Sequence, residues 1–495
     1  MEILEGLKLL LNVDVFIFII LGTLVGLALG ALPGLDVTTS VALLLPVTYV
    51  LSPLQALLFF TSIYCSGVFA GSITAILFRI PGSSEAVMTA LEGPHFTARG
   101  EAGIALGISM VCSAIGGLVA SVALFTLTPF LASVALKFGP GEYFALGVLG
   151  LSCVAAVATK NQLKGLSAVL IGLLLSTVGI DQTTGVPRFD FGVTTLFGGV
   201  PFVPAIIGLF AASEVYRRIA KRETTLVSAG EDGQGRLRVR FPRIVELIRL
   251  RWTIFRSALI GLGIGILPGA GATTAAIVGY STEVRLSKEP HEFGKGKVEG
   301  IAAPETANNA AAVGAMIPLL SLGIPGSGTT AVLMGAFLIH NLRAGPLFFL
   351  DHADIAYALF GGIALTNFAV LLFGAVFIRL FARLVYLPYP ILATSILSVC
   401  LIGALAFGDI NSVAIMLAFA VLGLLLEATN YPLAPVVIGL VLGQIVEVSL
   451  RRALLMTDFD FWAVFSRPLT ATLLLLALAF LVLPSLGWLW GKVRS

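Results

Sequence analysis

Mostly apolar stretches, many of them long enough to cross a lipid bilayer, follow one another along almost the whole chain. One transmembrane helix takes about 20 apolar residues, so a chain of 495 residues accommodates about a dozen of them. A soluble core could not bury this surface, because 58% of the residues are hydrophobic and 12% are charged. The runs lie at 13–32, 37–51, 54–80, 102–134, 141–158, 165–181, 193–215, 257–280, 305–322, 328–342, 353–378, 387–407, 411–427, 432–449 and 469–487.

Glycine and proline are unusually frequent for a chain of this kind, with 54 glycines and 23 prolines. Small residues allow close helix packing in a membrane, and helix-breaking residues are tolerated where protein or a wet cavity satisfies the backbone. The sequence therefore predicts an all-α polytopic membrane protein. We expect about 10–12 transmembrane helices plus broken or re-entrant helices, arranged as two structural repeats.

The two halves of the chain share motifs in the same order. Leu32-Pro33-Gly34 recurs as Leu267-Pro268-Gly269, and Ile80-Pro81-Gly82-Ser83 recurs as Ile324-Pro325-Gly326-Ser327. Glycines upstream recur too, since Gly26 and Gly30 correspond to Gly261 and Gly265. This repetition indicates an internal duplication.

A basic segment separates the halves and indicates how the chain is oriented in the membrane. By the positive-inside rule the arginine-rich stretch 217–256 is cytoplasmic. We therefore predict a first transmembrane repeat at 1–216, a cytoplasmic basic linker at 217–256, a second transmembrane repeat at 257–450, and a C-terminal extra transmembrane helix with a tail at 451–495.

Basic residues elsewhere favour inverted repeats. Lys160 and Lys164 fit the cytoplasm, so the run at 102–134 crosses outward. Arg379 and Arg383 also fit the cytoplasm, so the equivalent run at 353–378 crosses inward, as inverted repeats require. Arg451 and Arg452 do not fit this orientation, because the same count of membrane crossings places these basic residues outside.

Four Pro-Gly pairs interrupt apolar runs. Proline removes a backbone donor and glycine permits a sharp turn, so each pair predicts a broken helix. Small hydroxyl residues follow each pair, namely Thr38, Thr39, Ser83, Ser84, Thr273, Thr274, Ser327, Thr329 and Thr330.

This arrangement is typical of an ion or anion site. A half-helix that begins after a break directs free N–H groups at a carboxylate, while unwound carbonyls can hold a cation such as sodium. In the alternative interpretation, the pairs only kink helices and the hydroxyls only cap them. Four breaks, paired between the repeats, favour a binding site near the middle of the bilayer.

A polar stretch enters a second-half apolar run at Pro304-Glu305-Thr306-Ala307-Asn308-Asn309. Polar side chains are costly in lipid and usually face the interior of the bundle. The Asn308 and Asn309 amides could donate to a carboxylate or bind sodium. The alternative is a helix N-cap at Thr306 with the asparagine pair at the membrane interface.

Two charged residues adjoin the breaks. Arg79 directly precedes Ile80-Pro81-Gly82 and could neutralise a carboxylate, or it could extend to lipid headgroups. Asp36 has Gly271 as its counterpart in the second half, so its charge belongs to one side of the site only.

The predicted site therefore has two parts. We expect the substrate near Arg79, Pro81, Gly82, Ser83, Ser84, Asn308, Asn309, Pro325, Gly326, Ser327, Gly328, Thr329 and Thr330. We expect the coupling cation, Na⁺ or H⁺, near Gly34, Asp36, Thr38, Thr39, Gly269, Thr273 and Thr274. Na⁺ would be the only metal, with its ligands left open, and no other cofactor is expected.

Other features argue against enzymatic chemistry. The four cysteines lie singly in apolar runs, which favours neither a metal site nor a disulfide framework. No Walker A, GxSxG or HExxH motif is present, so we expect no enzyme. Glu2 and Glu5 precede the first apolar run without a cleavage pattern, so we expect no removable signal peptide.

Several motifs together resemble the TctA family, the large membrane subunit of tripartite tricarboxylate transporters. The resemblance covers residues from about 15 to 470 and is carried by Gly30-Ala31-Leu32-Pro33-Gly34, Gly71-Ser72-Ile73-Thr74-Ala75-Ile76-Leu77, Pro304-Glu305-Thr306-Ala307-Asn308-Asn309, Leu322-Gly323-Ile324-Pro325-Gly326-Ser327-Gly328-Thr329-Thr330 and Thr184-Gly185-Val186-Pro187-Arg188-Phe189.

The resemblance implies a multi-pass protein of the bacterial inner membrane that works with a small four-helix membrane subunit (TctB-like) and a periplasmic solute-binding protein (TctC-like). It implies transport driven by a sodium or proton gradient rather than by ATP. It also implies organic carboxylates as substrates, such as citrate, dicarboxylates or aromatic carboxylates. A membrane scaffold that only anchors a periplasmic receptor is the alternative, and a channel or an intramembrane enzyme is less well supported.

Two departures from the family pattern bear on the site. Asp36 stands where the family commonly has a glycine, and Phe69-Ala70 stands where it commonly has Tyr-Gly. The first departure bears on the anion or cation site, and the second bears on packing.

Overall fold

The computed structural model describes residues 2–32, 35–157, 161–181, 184–221, 239–384, 389–408 and 410–494, with side chains described as far as 482. Within these ranges nearly all regular structure is helical. The strands are β1 (Gly179–Ile180) and β2 (Pro187–Arg188), which pair antiparallel. Helices dominate because each satisfies its own backbone hydrogen bonds, which lipid cannot do.

The helices of the first half are α1 (Glu2–Leu9), α2 (Val13–Gly30), α3 (Val37–Leu44), α4 (Pro53–Phe78), α5 (Thr89–Ala98), α6 (Ala102–Ala135), α7 (Pro140–Val157), α8 (Gln162–Ser176), α9 (Phe202–Ile206) and α10 (Ser213–Ala220). A π-helical turn at Ile207–Ala212 joins α9 to α10. Short 3₁₀ helices lie at Leu45–Val50, Ser84–Ala86 and Thr194–Leu196.

The helices of the second half are α11 (Ile244–Ile266), α12 (Gly271–Leu286), α13 (Glu299–Gly314), α14 (Met316–Leu322), α15 (Gly328–Ile339), α16 (Pro346–Asp351), α17 (Ala353–Leu384), α18 (Tyr389–Phe407), α19 (Ile410–Ala428), α20 (Leu433–Met456), α21 (Phe461–Phe465) and α22 (Pro468–Arg494). A 3₁₀ helix at Pro290–Glu292 lies between α12 and α13.

Six helices of the described part of the chain are candidates for crossing a membrane. In the described part of the chain, α2, α4, α6, α17, α19 and α20 contain stretches long and apolar enough to cross a membrane, and six shorter apolar helices accompany them. The predicted all-α polytopic membrane fold is confirmed. The inverted relation of the two halves stays a prediction.

The helix α13 lies at the centre of the molecule. Every residue from Gly300 to Gly314 is buried, and α13 packs against α4, α5, α6, α11 and α12. The long helix α4 is also buried along its whole apolar stretch. Polar residues on these two helices therefore face protein rather than lipid.

Glycines allow the central helices to approach closely. A Cβ atom at Gly265 would lie 2.5 Å from the Ala311 carbonyl oxygen of α13, and one at Gly30 would overlap the Gly67 carbonyl of α4. The corresponding glycines thus serve the α2–α4 and α11–α13 contacts in the same way, as small residues do in membrane proteins.

The segment between the halves is shorter than the predicted linker at 217–256. The helix α10 continues to Ala220, supported by ion pairs from Glu214 to Arg217 and Arg218, and α11 already begins at Ile244. Oppositely charged residues one turn apart stabilise a helix. The basic residues Arg217 and Arg218 therefore belong to α10, and the start of the basic stretch does not coincide with the end of the helix. Residues 222–238 lie outside the described residues.

Candidate functional site

Each predicted break interrupts the helical structure. We call each interruption together with the residues that directly follow it, at 31–38, 79–84, 267–273 and 323–329, the first, second, third and fourth breaks. Arg79, Gly269 and Gly323 have positive φ angles of 59°, 80° and 73°, which end or redirect their helices. Pro33 and Gly34 of the first break lie outside the described residues.

Side chains link the first break to the second and the second to the third. Ser84 Oγ donates to Asp36 Oδ1 at 3.1 Å. Thr273 Oγ1, on the first turn of α12, donates to the same Ser84 Oγ at 3.0 Å. Ser84 therefore connects elements from both halves of the chain.

Two further contacts link the third break to the fourth and the fourth back to the first. The Gly269 N–H donates to the Gly326 carbonyl oxygen at 2.9 Å, which joins the third and fourth breaks. Thr329 Oγ1 and Thr38 Oγ1 share a hydrogen bond of 2.8 Å, which joins the fourth break to the first. We call this closed set of contacts the break ring. It brings together residues that the sequence placed in separate motifs.

Helix starts at the break ring are capped by their own residues. Ser327 Oγ accepts from the Thr330 N–H at 3.2 Å, and Thr330 Oγ1 accepts from the Ser327 N–H at 2.8 Å, a capping box at the start of α15. Tyr64 of α4 reaches Ser327 Oγ at 3.2 Å. The carboxylate of Asp36 caps α3 by accepting from the Thr38 N–H at 3.3 Å.

The second break departs from the prediction that a half-helix begins after Pro81-Gly82. Only the 3₁₀ turn Ser84–Ala86 follows, and α5 begins at Thr89. The Gly82 N–H donates to the Gly71 carbonyl at 3.0 Å, which folds the chain back onto α4. A Cβ at Gly82 would lie 2.7 Å from the Gly30 carbonyl oxygen, so Gly82 packs between backbones.

Asn308 and Asn309 lie beside the break ring on α13. Asn308 Nδ2 donates to the Glu85 carbonyl oxygen at 3.4 Å. Asn309 Nδ2 donates to Asn308 Oδ1 at 2.8 Å and to the Glu305 carbonyl oxygen at 3.2 Å. Both amides are buried, which fits the prediction that they face the interior of the bundle.

The alternative of an N-cap at Thr306 is wrong. The helix α13 begins at Glu299, two turns earlier, and Thr306 Oγ1 donates to the Ala302 carbonyl at 2.8 Å inside the helix. Buried hydroxyls commonly bond to the preceding turn in this way. The sequence suggested an N-cap because polar residues are common at the start of a helix and rare in the middle of a membrane helix.

Glu85 is a site residue that the sequence reasoning missed. It is 6% exposed and lies between Ser84 and the carbonyl–Asn308 contact, while Asp36 approaches it through the shared partner Ser84. Among the described residues, neither Glu85 nor Asp36 forms an ion pair with a lysine, arginine or histidine. The break ring is thus acidic, and within the described ranges no cationic side chain is paired to its carboxyl groups.

The remaining predicted residues lie around the ring or apart from it. Thr39 and Ser83 are buried and Thr274 is half-buried, each next to a residue of the ring. Gly328 is confined by α20, because a Cβ there would lie 2.7 Å from Ala434 Cβ. Arg79 is exposed at the end of α4, and in the described part of the chain no hydrogen bond or ion pair joins its side chain to the ring.

A second polar cluster lies away from the breaks, between the β1–β2 hairpin and α20. Arg188 binds Glu447 through two hydrogen bonds of 2.7 and 3.3 Å, and Arg451 binds Asp181 at 2.6 Å and Glu447 at 2.8 Å. The hydrogen bonds that Arg188 donates to Glu447 raise the pKa of Arg188. These residues line an open pocket together with Ser176 and Gln444.

This cluster explains the disagreement over Arg451 in the charge count. The Arg451 guanidinium is neutralised by two carboxylates, so it does not report the side of the membrane as a free basic residue would. Arg452 is exposed, and its disagreement with the count remains.

A third cluster surrounds the buried carboxylate of Glu92 on α5. Its Oε1 accepts from Tyr280 Oη at 2.9 Å and from the Gly294 N–H at 2.6 Å. Its Oε2 accepts from the N–H groups of Gly296 and Lys297 at 2.7 and 3.0 Å. Glu92 therefore fixes the loop between α12 and α13 to α5.

Metal ligands of the usual type are not grouped in the described part of the chain. No three histidine, cysteine, aspartate or glutamate side chains there come together as a metal site. All four cysteines are buried and unpaired. A cation at the break ring would rely on carbonyl, hydroxyl and amide oxygens together with Asp36 or Glu85.

Comparison with known proteins gives one family and two relatives. The model of the tripartite tricarboxylate transporter TctA family matches residues 16–438. The "Uncharacterized 52.8 kDa protein in TAR-I ttuC' 3'region" of Agrobacterium vitis is 37% identical over 483 residues, 96% of this chain and 93% of that protein. The "Uncharacterized protein in TAR-II ttuC' 3'region" of the same organism is 34% identical over 230 residues, 46% of this chain and 95% of that protein. No solved structure matches the chain.

Proposed function

Because the chain belongs to the tripartite tricarboxylate transporter TctA family, we propose that it is the membrane subunit through which small organic carboxylates are imported by cation symport. The substrate would be a tricarboxylate such as citrate, a dicarboxylate or an aromatic carboxylate. The break ring carries this proposal, since it gathers hydroxyls and helix starts from both halves at one place, exposed at Ser84 and buried at the Thr38–Thr329 contact, with the Asn308 amide beside it.

Electrostatics supports coupling to a cation. Asp36 and Glu85 already place two carboxyl groups at the ring, and no lysine or arginine of the described residues is paired with them. A carboxylate substrate would be repelled unless protons or sodium ions entered with it. The ring therefore supports symport better than uniport of a bare anion.

Particular groups at the ring have proposed roles. The hydroxyls of Thr329 and Ser84 and the amides of Asn308 and Asn309 would donate to the substrate. Asp36, Thr38 and Thr273 would contribute to a cation site, together with backbone carbonyls of the breaks. Inward and outward access would alternate as the two repeats move around the ring.

The transport unit would include other proteins. We propose a small four-helix membrane subunit as the lateral partner and a periplasmic solute-binding protein that delivers the anion. The assembly would lie in the bacterial inner membrane. A scaffold that only anchors a receptor would explain the hydrophobicity but not a polar ring built from four breaks.

The test is uptake of a radiolabelled carboxylate into proteoliposomes that contain this chain with both partner proteins. We expect uptake to require the binding protein and an imposed Na⁺ or H⁺ gradient. The double variant Thr329→Val with Asn308→Leu should reduce uptake at least about tenfold, because about 1.4 kcal/mol of lost binding corresponds to that factor.

A matched control uses the same changes away from the ring. Thr126→Val with Asn12→Leu alters an exposed threonine of α6 and an exposed asparagine before α2, and uptake should stay near the wild-type rate. Unchanged uptake in the ring variant would rule out this site. An absence of uptake in the wild type, with all partners and both gradients supplied, would favour the scaffold.

A further inference from the structure

Glu305 occupies the centre of the molecule and has no part in the break ring contacts. Its side chain has no exposed surface. Hydroxyl groups surround the carboxyl group from three helices. Thr89 Oγ1 of α5 donates to Oε1, and Ser113 Oγ of α6 donates to Oε2 at 3.0 Å. Ser72 of α4 and Ser109 of α6, which bond each other at 2.7 Å, complete this layer.

Among the described residues, no positive charge faces Glu305 from the helices packed against it. The neighbouring titratable groups are Cys112 on α6, Glu92 on α5 and Glu85 before α5, all neutral or acidic. Tyr280 of α12 binds Glu92, and Arg256 of α11 binds Glu283 of α12 at 2.9 Å.

An ionised Glu305 would be an unpaired charge inside the membrane. Burying an unpaired carboxylate is far more costly than burying the neutral acid, which the surrounding hydroxyls can satisfy by donating and accepting. In this conformation the protonated form of the Glu305 carboxyl group is therefore favoured over the ionised form. A hydroxyl layer around one acid also provides alternative acceptors for that proton.

Glu305 is connected to the break ring through α13 itself. Its carbonyl oxygen accepts from Asn309, Asn309 binds Asn308, and Asn308 reaches the carbonyl of Glu85 at the ring. Pro304 precedes Glu305 and removes one backbone N–H from the helix interior, which weakens α13 at this turn. A movement of the ring would therefore be transmitted through these hydrogen bonds to the backbone at Glu305.

We propose that Glu305 carries the coupling proton of this transporter. It binds one proton from the outer water when the anion enters the ring, and it releases that proton to the inner water after the anion has left. No bond other than O–H forms or breaks. The proposal rests on the carboxylate symport proposed above and adds a proton site on α13 to the cation site at the ring.

The test compares wild type with Glu305→Gln in proteoliposomes with both partner proteins. Glutamine keeps the size and polarity of the protonated acid but cannot release a proton. Exchange of labelled for unlabelled substrate should persist within about threefold of wild type, whereas uptake driven by a pH gradient should fall at least about tenfold. The pH dependence of exchange should also flatten.

The control variant is Glu142→Gln. Glu142 is also buried, but it binds the Gly139 N–H at 2.9 Å and Thr470 at 3.3 Å near the start of α7, far along the chain from the ring. This variant should keep pH-driven uptake. Loss of pH-driven uptake in Glu142→Gln as well as in Glu305→Gln would overturn a specific role for Glu305.

A measurement on the wild type makes the proposal testable even if the variant does not fold. A pH-sensitive dye inside the vesicles should report inward proton movement together with the substrate. Uptake without proton movement, or pH-driven uptake that persists in Glu305→Gln, would overturn the proposal while leaving carboxylate transport intact. Failure of the wild type to transport any carboxylate would instead contradict the proposed function.

Discussion

Thr38 and Thr329 are 291 residues apart in the chain, yet their hydroxyl groups form one hydrogen bond in a buried place. Such a bond contributes modestly when it is made, but removing one partner leaves the other hydroxyl unsatisfied. The pair is therefore a sensitive indicator of whether the first and fourth breaks meet.

We expect Thr38→Val and Thr329→Val each to lower the free energy of unfolding by about 1–3 kcal/mol, because each leaves a buried hydroxyl without its partner. The double variant should lose less unfolding free energy than the sum of the two single variants, by about 0.5–3 kcal/mol, since the second change removes the hydroxyl that the first left without a partner. Thermal unfolding in detergent measures both effects. Strictly additive losses would mean that the two threonines do not interact, and Thr126→Val provides the exposed control.

At the scale of elements, two side chains hold the loop of residues 287–298 between α12 and α13, since Arg99 donates to the carbonyl oxygens of Lys295 and Gly296 and Glu92 accepts from backbone N–H groups. Glu92 accepts hydrogen bonds from the backbone N–H groups of Gly294, Gly296 and Lys297 and from Tyr280. Charge-assisted hydrogen bonds of this kind are the stronger ones, so this loop is expected to stay closed on α5 in the described conformation.

Replacing Glu92 with glutamine should release this loop. The new NH₂ group would face backbone donors that now find an acceptor, and bonds to a charged group contribute about 1.5–3 kcal/mol each. We expect hydrogen exchange of the Gly294, Gly296 and Lys297 amides to accelerate at least about tenfold. Mass spectrometry of peptides from this loop measures the change.

The control for the loop is Glu246→Gln, which affects an exposed pair with Arg240 at 3.5 Å at the start of α11 and should leave the exchange of the three amides unaltered. Equal exchange in wild type and Glu92→Gln would show that the carboxylate does not hold the loop.

Much of the element pattern could be predicted from the sequence. The apolar runs, the interruptions at the breaks and the start of α15 after Pro325-Gly326 all depend on local residue types. The packing after Pro81-Gly82 could not be predicted, because it depends on a hydrogen bond to Gly71 of the preceding helix and on contact with Gly30.

The buried acids were the other gap in the sequence reasoning. Glu85, Glu92 and Glu305 were not predicted as site residues, since a buried carboxyl group is recognised by the donors that distant helices bring to it. Their position next to breaks or among polar residues was the available signal. The asparagine pair could be predicted because two adjacent amides in an apolar run are unusual in themselves.

At the scale of the whole molecule, the break ring joins both halves of the chain, and the relation between the halves determines how they could move. Corresponding segments provide a direct test. The chain turns at residues 51–52 between α3 and α4, and it turns at 287–298 between α12 and α13. Inverted repeats put these two turns on opposite sides of the membrane, whereas parallel repeats put them on the same side.

Single cysteines at Val50 and His291 distinguish these arrangements. Both positions are exposed, and the four native cysteines are buried, so labelling by a membrane-impermeant maleimide should have a low background. We expect Val50→Cys to be labelled in intact spheroplasts and His291→Cys only after lysis, because the basic segment 217–256 places the start of α11 in the cytoplasm. Phe191→Cys, in the loop after β2, should be labelled like Val50→Cys. Labelling of Val50→Cys and His291→Cys from the same side would exclude inversion, and the ring would then be an asymmetric junction rather than a centre of symmetric alternating access.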